Sequence, residues 1–206
     1  MCAGKQSVLY LHGKGGAAAE SAHYKPLFPD CDVIGLDYHA ASPQKTGAEI
    51  RKAVETLSGS YDEITLIANS IGAFFSLYAG IDRLIRRAYF ISPLVDMEQM
   101  ILSLLRQTGA TEDDLRQHGT LPAPFGETLV WDELCYVRTH PVSWHAPTRI
   151  LCGGNDTLVP FDTVRAFAQK TGAQVTVMKS AAHWFHTPAE LAFLDRWIKE
   201  PWTKTE

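Results

Sequence analysis

Short apolar runs rich in β-branched residues alternate with amphipathic helical stretches along almost the whole of this 206-residue chain. This alternation is typical of a parallel β-sheet covered on both faces, because a crossover, usually a helix, must join each parallel strand to the next. The pattern predicts a single α/β domain, residues 1–206, built as a three-layer α/β/α sandwich around a mainly parallel six-stranded sheet.

Six apolar runs are the predicted strands, at residues 7–11, 32–36, 63–68, 88–91, 148–152 and 174–178. The predicted helices span about 46–57, 71–80, 97–107, 111–117, 162–170 and 188–199. Residues 93–147 break the alternation, because two helical patterns are followed there by a loop rich in proline and glycine, without a convincing central strand. A connection this long between strands is usually functional when it is ordered.

A serine stands where the third predicted strand turns directly into a helix. Residues 68–72 read ANSIG, and the helical stretch 73–79 follows without a gap. Such a turn is so tight that bulk at position 68 or 72 would collide with the neighbouring backbone, while Ser70 projects outward on strained backbone. A serine at such a junction is by itself more often a helix cap or a packing residue. Ser70 is therefore a candidate nucleophile whose partners must be found elsewhere.

An activated serine needs a base that takes its proton and a carboxylate that orients the base. Asp156 lies in the loop that follows the strand at 148–152, and His183 lies in the loop that follows the strand at 174–178. The carboxyl ends of parallel strands lie at one edge of a sheet, so these loops can reach the same place as Ser70. The chain order is serine, aspartate, histidine.

Each partner has a rival. Asp156 could instead form an Asx-turn or begin the next helix, although Asp162 fits the helix start better. Asp96, after the fourth strand, is the alternative acid. His186 is the alternative base, but its place beside a threonine and a proline at a helix entrance favours a structural role. No histidine and glutamate pair has the spacing of a zinc site, so no metal is expected.

Four motifs in order resemble those of the α/β-hydrolases: residues 11–13 (LHG), the turn at 68–72, residues 156–160 (DTLVP) and residues 183–185 (HWF). The chain departs from the commonest pattern in having Ala68 where glycine is usual. The resemblance implies an α/β-hydrolase fold without the two leading antiparallel strands of longer members, because the LHG motif follows the very first strand. It also implies that residues 93–147 form a helical lid inserted in the domain, over the active centre.

The resemblance further implies a serine hydrolase that cleaves a carboxylic ester or a similar acyl compound through an acyl-enzyme intermediate. Ser70 would be the nucleophile, His183 the base and Asp156 the orienting acid. The backbone N–H groups of Ile71 and Lys14 are expected to form the oxyanion hole. No metal or organic cofactor is expected.

Candidate substrate-binding residues are fewer and less specific. The candidates are His12, Phe125, Trp131 and Trp184. Tyr136 and Trp144 could also line an apolar acyl or aryl pocket, although aromatic residues in this segment could equally be its own packing against the core. Lys14 could pair with a substrate carboxylate, although a lysine in a glycine-rich loop is usually solvated.

Two other functions compete with hydrolysis. Residues 13–18 (GKGGAA) satisfy G-x-G-x-x-A, from Gly13 through Gly15 to Ala18, directly after a strand, and Asp37 ends the second strand. An NAD-dependent oxidoreductase could use such a fingerprint, but that reading leaves the serine, aspartate and histidine unexplained. The other alternative is a non-catalytic hydrolase fold that serves as a ligand sensor.

Composition limits the partners and the compartment. The net charge is −4 with scattered lysine and arginine, so no basic stripe suited to nucleic acid or an anionic membrane is present. No apolar stretch approaches the roughly 20 residues that span a bilayer. Four cysteines without CxxC pairing favour free thiols. We expect a cytoplasmic protein that binds a small acyl substrate, with neither nucleic acid nor membrane as partner; the oligomeric state is left open.

Overall fold

The computed structural model describes residues 4–39 and 41–202. Its strands are β1 Gln6–Leu11, β2 Asp32–Leu36, β3 Glu63–Asn69, β4 Arg87–Ile91, β5 Thr120–Ala123, β6 Glu127–Val130, β7 Thr148–Gly153 and β8 Gln174–Met178. Its α-helices are α1 Pro43–Ser58, α2 Ile71–Ala79, α3 Met97–Thr108, α4 Glu112–His118, α5 Trp131–Thr139, α6 Phe161–Thr171 and α7 Pro188–Lys199. Two segments, Ala18–Leu27 and Pro124–Gly126, are 3-10 helices.

Six of these strands form one sheet in the order β2-β1-β3-β4-β7-β8, and every neighbouring pair in it is parallel. The strands confirm the six predicted ones, with ends that differ by one residue at most. Because all six run the same way, the loops that follow β1, β3, β4, β7 and β8 lie along one edge of the sheet. That edge carries the candidate site.

Both faces of the sheet are buried. In β1, Leu9 and Leu11 belong to one apolar core, and Val8 and Tyr10, which alternate with them, belong to a second core on the opposite face. The first core is shared with α1, α2, α3 and α6, and the second with α7 and the first 3-10 helix. The predicted three-layer α/β/α architecture is confirmed.

The segment between β4 and β7, here called the insertion, is more structured than the sequence predicts. The expected loop rich in proline and glycine is a small antiparallel hairpin of β5 and β6, in which Thr120 pairs with Val130. A further helix, α5, follows it. Prolines are tolerated in a two-stranded ribbon because every strand there has a free edge, which is why the composition alone suggests a loop.

The ends of two helices help to fix the loops near the site. Thr187 caps α7 by accepting a hydrogen bond from the N–H of Glu190, whose carboxylate accepts one in return from the N–H of Thr187. This cap anchors the end of the loop that carries His183. In the described residues, no helix is both long and apolar enough to cross a bilayer.

Candidate active site

Ser70 occupies a sharp turn between β3 and α2, in a conformation rare for any residue but glycine. Its φ is 52° and its ψ is −116°. The surrounding backbone holds this conformation, since the N–H of Ser70 donates to the carbonyl of Ile91 at 2.9 Å and its carbonyl accepts from the N–H of Leu94 at 3.1 Å. Strain of this kind persists only where neighbouring structure imposes it, and it clusters at functional sites.

The small residues on either side of Ser70 have the steric role that the sequence predicts. A Cβ atom added at Gly72 would lie 2.7 Å from the carbonyl oxygen of His12 and 2.8 Å from that of Leu11. Both contacts are to backbone, which cannot rotate away. Ala68 is completely buried. The turn can therefore press against the end of β1 only because these side chains are minimal.

Ser70, His183 and Asp156 form a continuous chain of hydrogen-bonding groups. The Oγ of Ser70 lies 2.8 Å from Nε2 of His183, and Nδ1 of His183 lies 2.8 Å from Oδ2 of Asp156. A carboxylate can only accept, so the imidazole proton sits on Nδ1 and Nε2 is free to accept the serine hydroxyl proton. The other carboxylate oxygen of Asp156 accepts from the N–H groups of Leu158 and Val159 at 2.8 and 3.0 Å.

The environment keeps Asp156 ionised. Its side chain and that of His183 are 7% and 4% exposed. Burial alone raises the pKa of Asp156, but the hydrogen bond and charge of His183 and the N–H groups of Val159 and Leu158 outweigh burial and lower the pKa below its ordinary value. A charged carboxylate behind the imidazole can orient it and stabilise its protonated form.

Neither rival side chain takes part in this chain of groups. Asp96 caps α3, where its Oδ1 accepts from the N–H of Gln99 at 3.0 Å. The ring of His186 is exposed, and its Nδ1 lies 2.9 Å from the carbonyl oxygen of Trp184. The structure therefore brings Asp156 and His183, rather than Asp96 and His186, to Ser70.

The two N–H groups that are expected to form the oxyanion hole belong to Ile71 and Lys14. Ile71 is the first residue of α2, where N–H groups have no partner within the helix and the helix dipole is positive. Lys14 occupies the second position of a tight turn closed by a 3.1 Å hydrogen bond from the N–H of Gly16 to the carbonyl of Gly13. That turn does not use the N–H of Lys14.

A cavity of about 450 Å³ opens beside Ser70 and His183. Lys14 and Ile71 line it, together with residues from the insertion and from the loops after β7 and β8. Most of the wall is apolar and includes Phe75, Leu94, Met97, Met100, Leu104 and Leu129. The cavity can thus hold an apolar group next to the serine hydroxyl.

Comparison with known proteins identifies the fold. No protein-family model and no curated protein matches the chain significantly. Solved structures do match over most of its length. They include alpha/beta hydrolase domain-containing protein 10 from mouse, with a TM-score of 0.74, 17% identity and coverage of 93% of this chain and 87% of that one. The chain has the α/β-hydrolase fold.

Two further α/β-hydrolase structures agree. Est1E from Butyrivibrio proteoclasticus matches with a TM-score of 0.71 at 18% identity and covers 95% of this chain and 86% of its own. An alpha-beta serine hydrolase homologue from Coxiella burnetii matches with a TM-score of 0.61 at 14% identity, covering 95% of this chain and 83% of its own. These matches confirm the α/β-hydrolase fold that the four sequence motifs imply.

The dinucleotide fingerprint has a different setting in this α/β-hydrolase fold. After the turn at residues 13–16 the chain enters the 3-10 helix Ala18–Leu27 instead of the α-helix whose N-terminus would hold a pyrophosphate. The six-stranded sheet also lacks the 3-2-1-4-5-6 strand order of dinucleotide-binding folds. The glycines instead form the tight turn that contains Lys14.

Of the predicted substrate-binding residues whose side chains are described, one lines the cavity and two do not. Trp184 lies on the cavity wall and is 61% exposed. His12 does not line the cavity, because its ring is buried and stacked on Tyr38 with centroids 4.4 Å apart. Trp131 is the first residue of α5 and does not line the cavity either. The side chain of Phe125 lies outside the described residues.

The other two aromatic candidates, half-buried Tyr136 and buried Trp144, pack against neighbouring residues. Tyr136 contacts the ring of Tyr78, with centroids 5.7 Å apart. Trp144 is buried and donates its indole N–H to the hydroxyl of Thr148 at 2.8 Å. The alternative given by the sequence, that these residues pack the insertion against the core, is correct for both. Their aromatic character does not reveal this, because an aromatic side chain suits both a pocket wall and core packing.

Sequence reasoning missed the residues of the insertion that do reach the cavity. Met97, Met100 and Leu104 lie on the apolar face of α3. The sequence pattern predicts that this face is buried, but it does not indicate which residues or which cavity the face contacts. Glu127 and Glu133 also line the cavity. Burial raises the pKa of Glu133 above its ordinary value, and the nearby charge of Glu127 raises it further.

Proposed function

We propose that the protein is a serine hydrolase that cleaves a carboxylic ester, or a similar acyl compound, through an acyl-enzyme intermediate. The observation that carries this proposal is the chain of groups from Ser70 through His183 to Asp156 at the wall of an apolar cavity. The α/β-hydrolase fold of the chain supports it, since this fold accommodates the chemistry at the same sheet edge.

The first half-reaction transfers the acyl group to the enzyme. The Oγ of Ser70 attacks the carbonyl carbon while its proton moves to Nε2 of His183. The N–H groups of Ile71 and Lys14 donate to the oxyanion of the tetrahedral intermediate. The bond to the leaving alcohol then breaks, and His183 gives that alcohol the proton. Ser70 is left as an ester of the acyl group.

The second half-reaction restores the enzyme. Water attacks the acyl carbon and loses a proton to His183, and a second tetrahedral intermediate forms at the same N–H groups. The bond to the Oγ of Ser70 breaks, the proton returns to Ser70, and a carboxylic acid leaves. Asp156 keeps the imidazole oriented throughout. All steps use residues of this chain.

The same proposal gives the insertion, residues 93–147, the role of a lid within a single domain. Its residues Met100, Leu104 and Leu129 supply a wall of the cavity, so a movement of the insertion changes access to Ser70. We also propose a cytoplasmic protein with a small-molecule partner. The free thiols of Cys31, Cys135 and Cys152 support that compartment.

A panel of p-nitrophenyl esters tests the proposal. Acetate, butyrate and octanoate esters probe acyl length, and methyl ferulate is added because Est1E has been observed with ferulic acid bound. We expect hydrolysis by the wild type and a loss of about 10⁴-fold or more in kcat for Ser70→Ala. Ser76→Ala is the matched control, because Ser76 is a buried serine on α2 that only donates to the carbonyl of Ala73.

Equal hydrolysis by the wild type and Ser70→Ala would show that another residue is the nucleophile. Equal loss in Ser70→Ala and Ser76→Ala would point to disruption of α2 rather than loss of a nucleophile. A wild type without activity on any ester of the panel, but with turnover of a thioester or lactone, would keep the serine mechanism and change the leaving group.

A further inference from the structure

An ion pair joins the proposed oxyanion loop to the insertion. The Nζ of Lys14 lies 2.6 Å from Oε1 of Glu127, the first residue of β6. Both residues line the cavity beside Ser70. Lys14, whose main-chain N–H is a proposed oxyanion donor, therefore also reaches the hairpin of the insertion through its side chain.

The turn that carries Lys14 is closed at its base by the 3.1 Å hydrogen bond between Gly16 and Gly13, so Lys14 and Gly15 form its outer part. Its other three residues, Gly13, Gly15 and Gly16, are glycines. Gly15 has a φ of 73°, and no atom lies within 4 Å of the position its Cβ would occupy. Glycine has the largest conformational freedom of any residue. The ion pair of the Lys14 side chain is therefore an additional contact that restrains this outer part.

We propose that Glu127 is a positioning residue, which holds Lys14 through its ammonium group so that the main-chain N–H of Lys14 points at the oxyanion. The oxyanion hole is then complete only while the hairpin lies over the cavity, and closure of the insertion is coupled to catalytic competence. The inference rests on the proposed function.

The coupling acts on catalysis rather than on folding. Lys14 and Glu127 are 58% and 33% exposed, and ion pairs with that exposure contribute little to the free energy of unfolding. An oxyanion contact forms in the transition state, so its loss lowers kcat and leaves KM almost unchanged. Glu133 is another carboxylate on the cavity wall, so the Lys14 ammonium still has a negative charge nearby in Glu127→Gln. A lysine at position 127 removes the ion pair and also repels Lys14, so Glu127→Lys is the stronger perturbation.

Steady-state kinetics on the best p-nitrophenyl ester test the proposal. Loss of a whole oxyanion donor costs about 10²–10³ in kcat, and a displaced donor costs less. We expect kcat to fall about 10-fold in Glu127→Gln and further in Glu127→Lys, with KM within about 2-fold. Glu63→Gln is the matched control. Its partner Arg86 lies at 3.0 Å, the exposures are 60% and 36%, and Glu63 begins β3 at the opposite edge of the sheet.

A charge exchange separates positioning from general damage. The double variant Lys14→Glu with Glu127→Lys should recover kcat to within about 3-fold of the wild type, because a main-chain donor does not depend on which side chain carries the positive charge. The proposal is overturned if Glu127→Gln behaves like Glu63→Gln, or if the double variant is no better than Glu127→Lys alone.

Labelling distinguishes this inference from the function on which it rests. A fluorophosphonate that modifies Ser70 in the wild type, together with unchanged kcat in Glu127→Gln, overturns the positioning role and leaves the serine hydrolase intact. A wild type that neither turns over esters nor takes the label at Ser70 overturns the proposed function, and the inference falls with it.

Discussion

The Oγ of Ser70 lies 2.8 Å from Nε2 of His183, although 113 residues separate them along the chain. The parallel sheet explains their proximity. Ser70 follows β3 and His183 follows β8, and parallel strands present their carboxyl ends at one edge. Asp156 arrives after β7 at the same edge and completes the chain of groups. The fold thus brings the side chains of three separate loops together at one place.

The closeness of α2 to β1 predicts a severe effect of Gly72→Ala. The new Cβ would meet two backbone carbonyls at 2.7 and 2.8 Å. Overpacking against backbone should lower the free energy of unfolding by about 3 kcal/mol, measured by urea denaturation. Gly59→Ala is the control, because its nearest contact lies at 3.5 Å and its φ is −77°. Equal stability of the two variants would contradict the packing described here.

Substitution of the orienting carboxylate should leave the site intact but inactive. Asp156→Asn keeps the shape of the side chain and removes its charge, so the imidazole loses its preferred tautomer. We expect kcat to fall by about 10⁴-fold on a p-nitrophenyl ester. Asp96→Asn is the control, since Asp96 only caps α3. A loss for Asp96→Asn as large as that for Asp156→Asn would return Asp96 to the role of the acid.

The same carboxylate should make stability depend on pH. The pKa of Asp156 is lowered in the folded protein, so the ionised group stabilises the fold above its unfolded pKa of about 3.9. That contribution is lost as pH falls through the folded pKa. The difference in unfolding free energy between wild type and Asp156→Asn should be largest above about pH 5 and should shrink towards about pH 2. A constant difference would show that the pKa is not lowered.

Glu133 should show the opposite dependence. Burial, followed by the charge of Glu127, raises its pKa, so the neutral form suits the folded protein and ionisation costs stability as pH rises above about 4.3. Glu133→Gln should therefore be more stable than the wild type at about pH 8, with the advantage disappearing near about pH 4. Glu112→Gln is the contrasting control, because Arg138 lowers the pKa of Glu112. An advantage for Glu133→Gln at low pH only would contradict this assignment.

The apolar wall should select the acyl chain. Met100 is buried on α3 and faces the cavity. Met100→Trp adds volume there, so we expect kcat/KM for the octanoate ester to fall about 10-fold relative to that for the acetate ester. Gln99→Trp places the same ring on the exposed side of α3 and should leave this ratio unchanged. An unchanged ratio in Met100→Trp would show that the acyl group binds elsewhere.

Local patterns are sufficient to predict the sheet and the proximity of Ser70, Asp156 and His183. Each strand is an apolar run bounded by turn residues, and the tight turn at Ser70 admits only small neighbours such as Ala68 and Gly72, which is a constraint within five residues of sequence. Asp156 and His183 follow from strand ends that must share one edge of the sheet. These inferences need only the direction of the strands.

The cavity could not be predicted in the same way, because its wall depends on how the insertion folds back. The chemistry of His12 and Trp131 makes them candidates, yet the ring of His12 packs on Tyr38 and Trp131 is not among the residues that line the cavity. Met100 and Glu127 reach the cavity through the packing of α3 and the hairpin, and no local period encodes that contact. The segment Ala18–Leu27 is a 3-10 helix whose buried residues are Ser21 and Tyr24, so it has no apolar stripe of α-helical period that would reveal it in the sequence.

The most direct test of the account is the site of covalent modification by a fluorophosphonate. The intact wild-type protein should gain the mass of one adduct, and peptide mapping should place it on Ser70. Ser70→Ala should gain none, and His183→Ala should react far more slowly, because the hydroxyl has lost its base. An adduct on a different residue, or equal labelling of Ser70→Ala and wild type, would contradict the claim that Ser70 is the activated nucleophile.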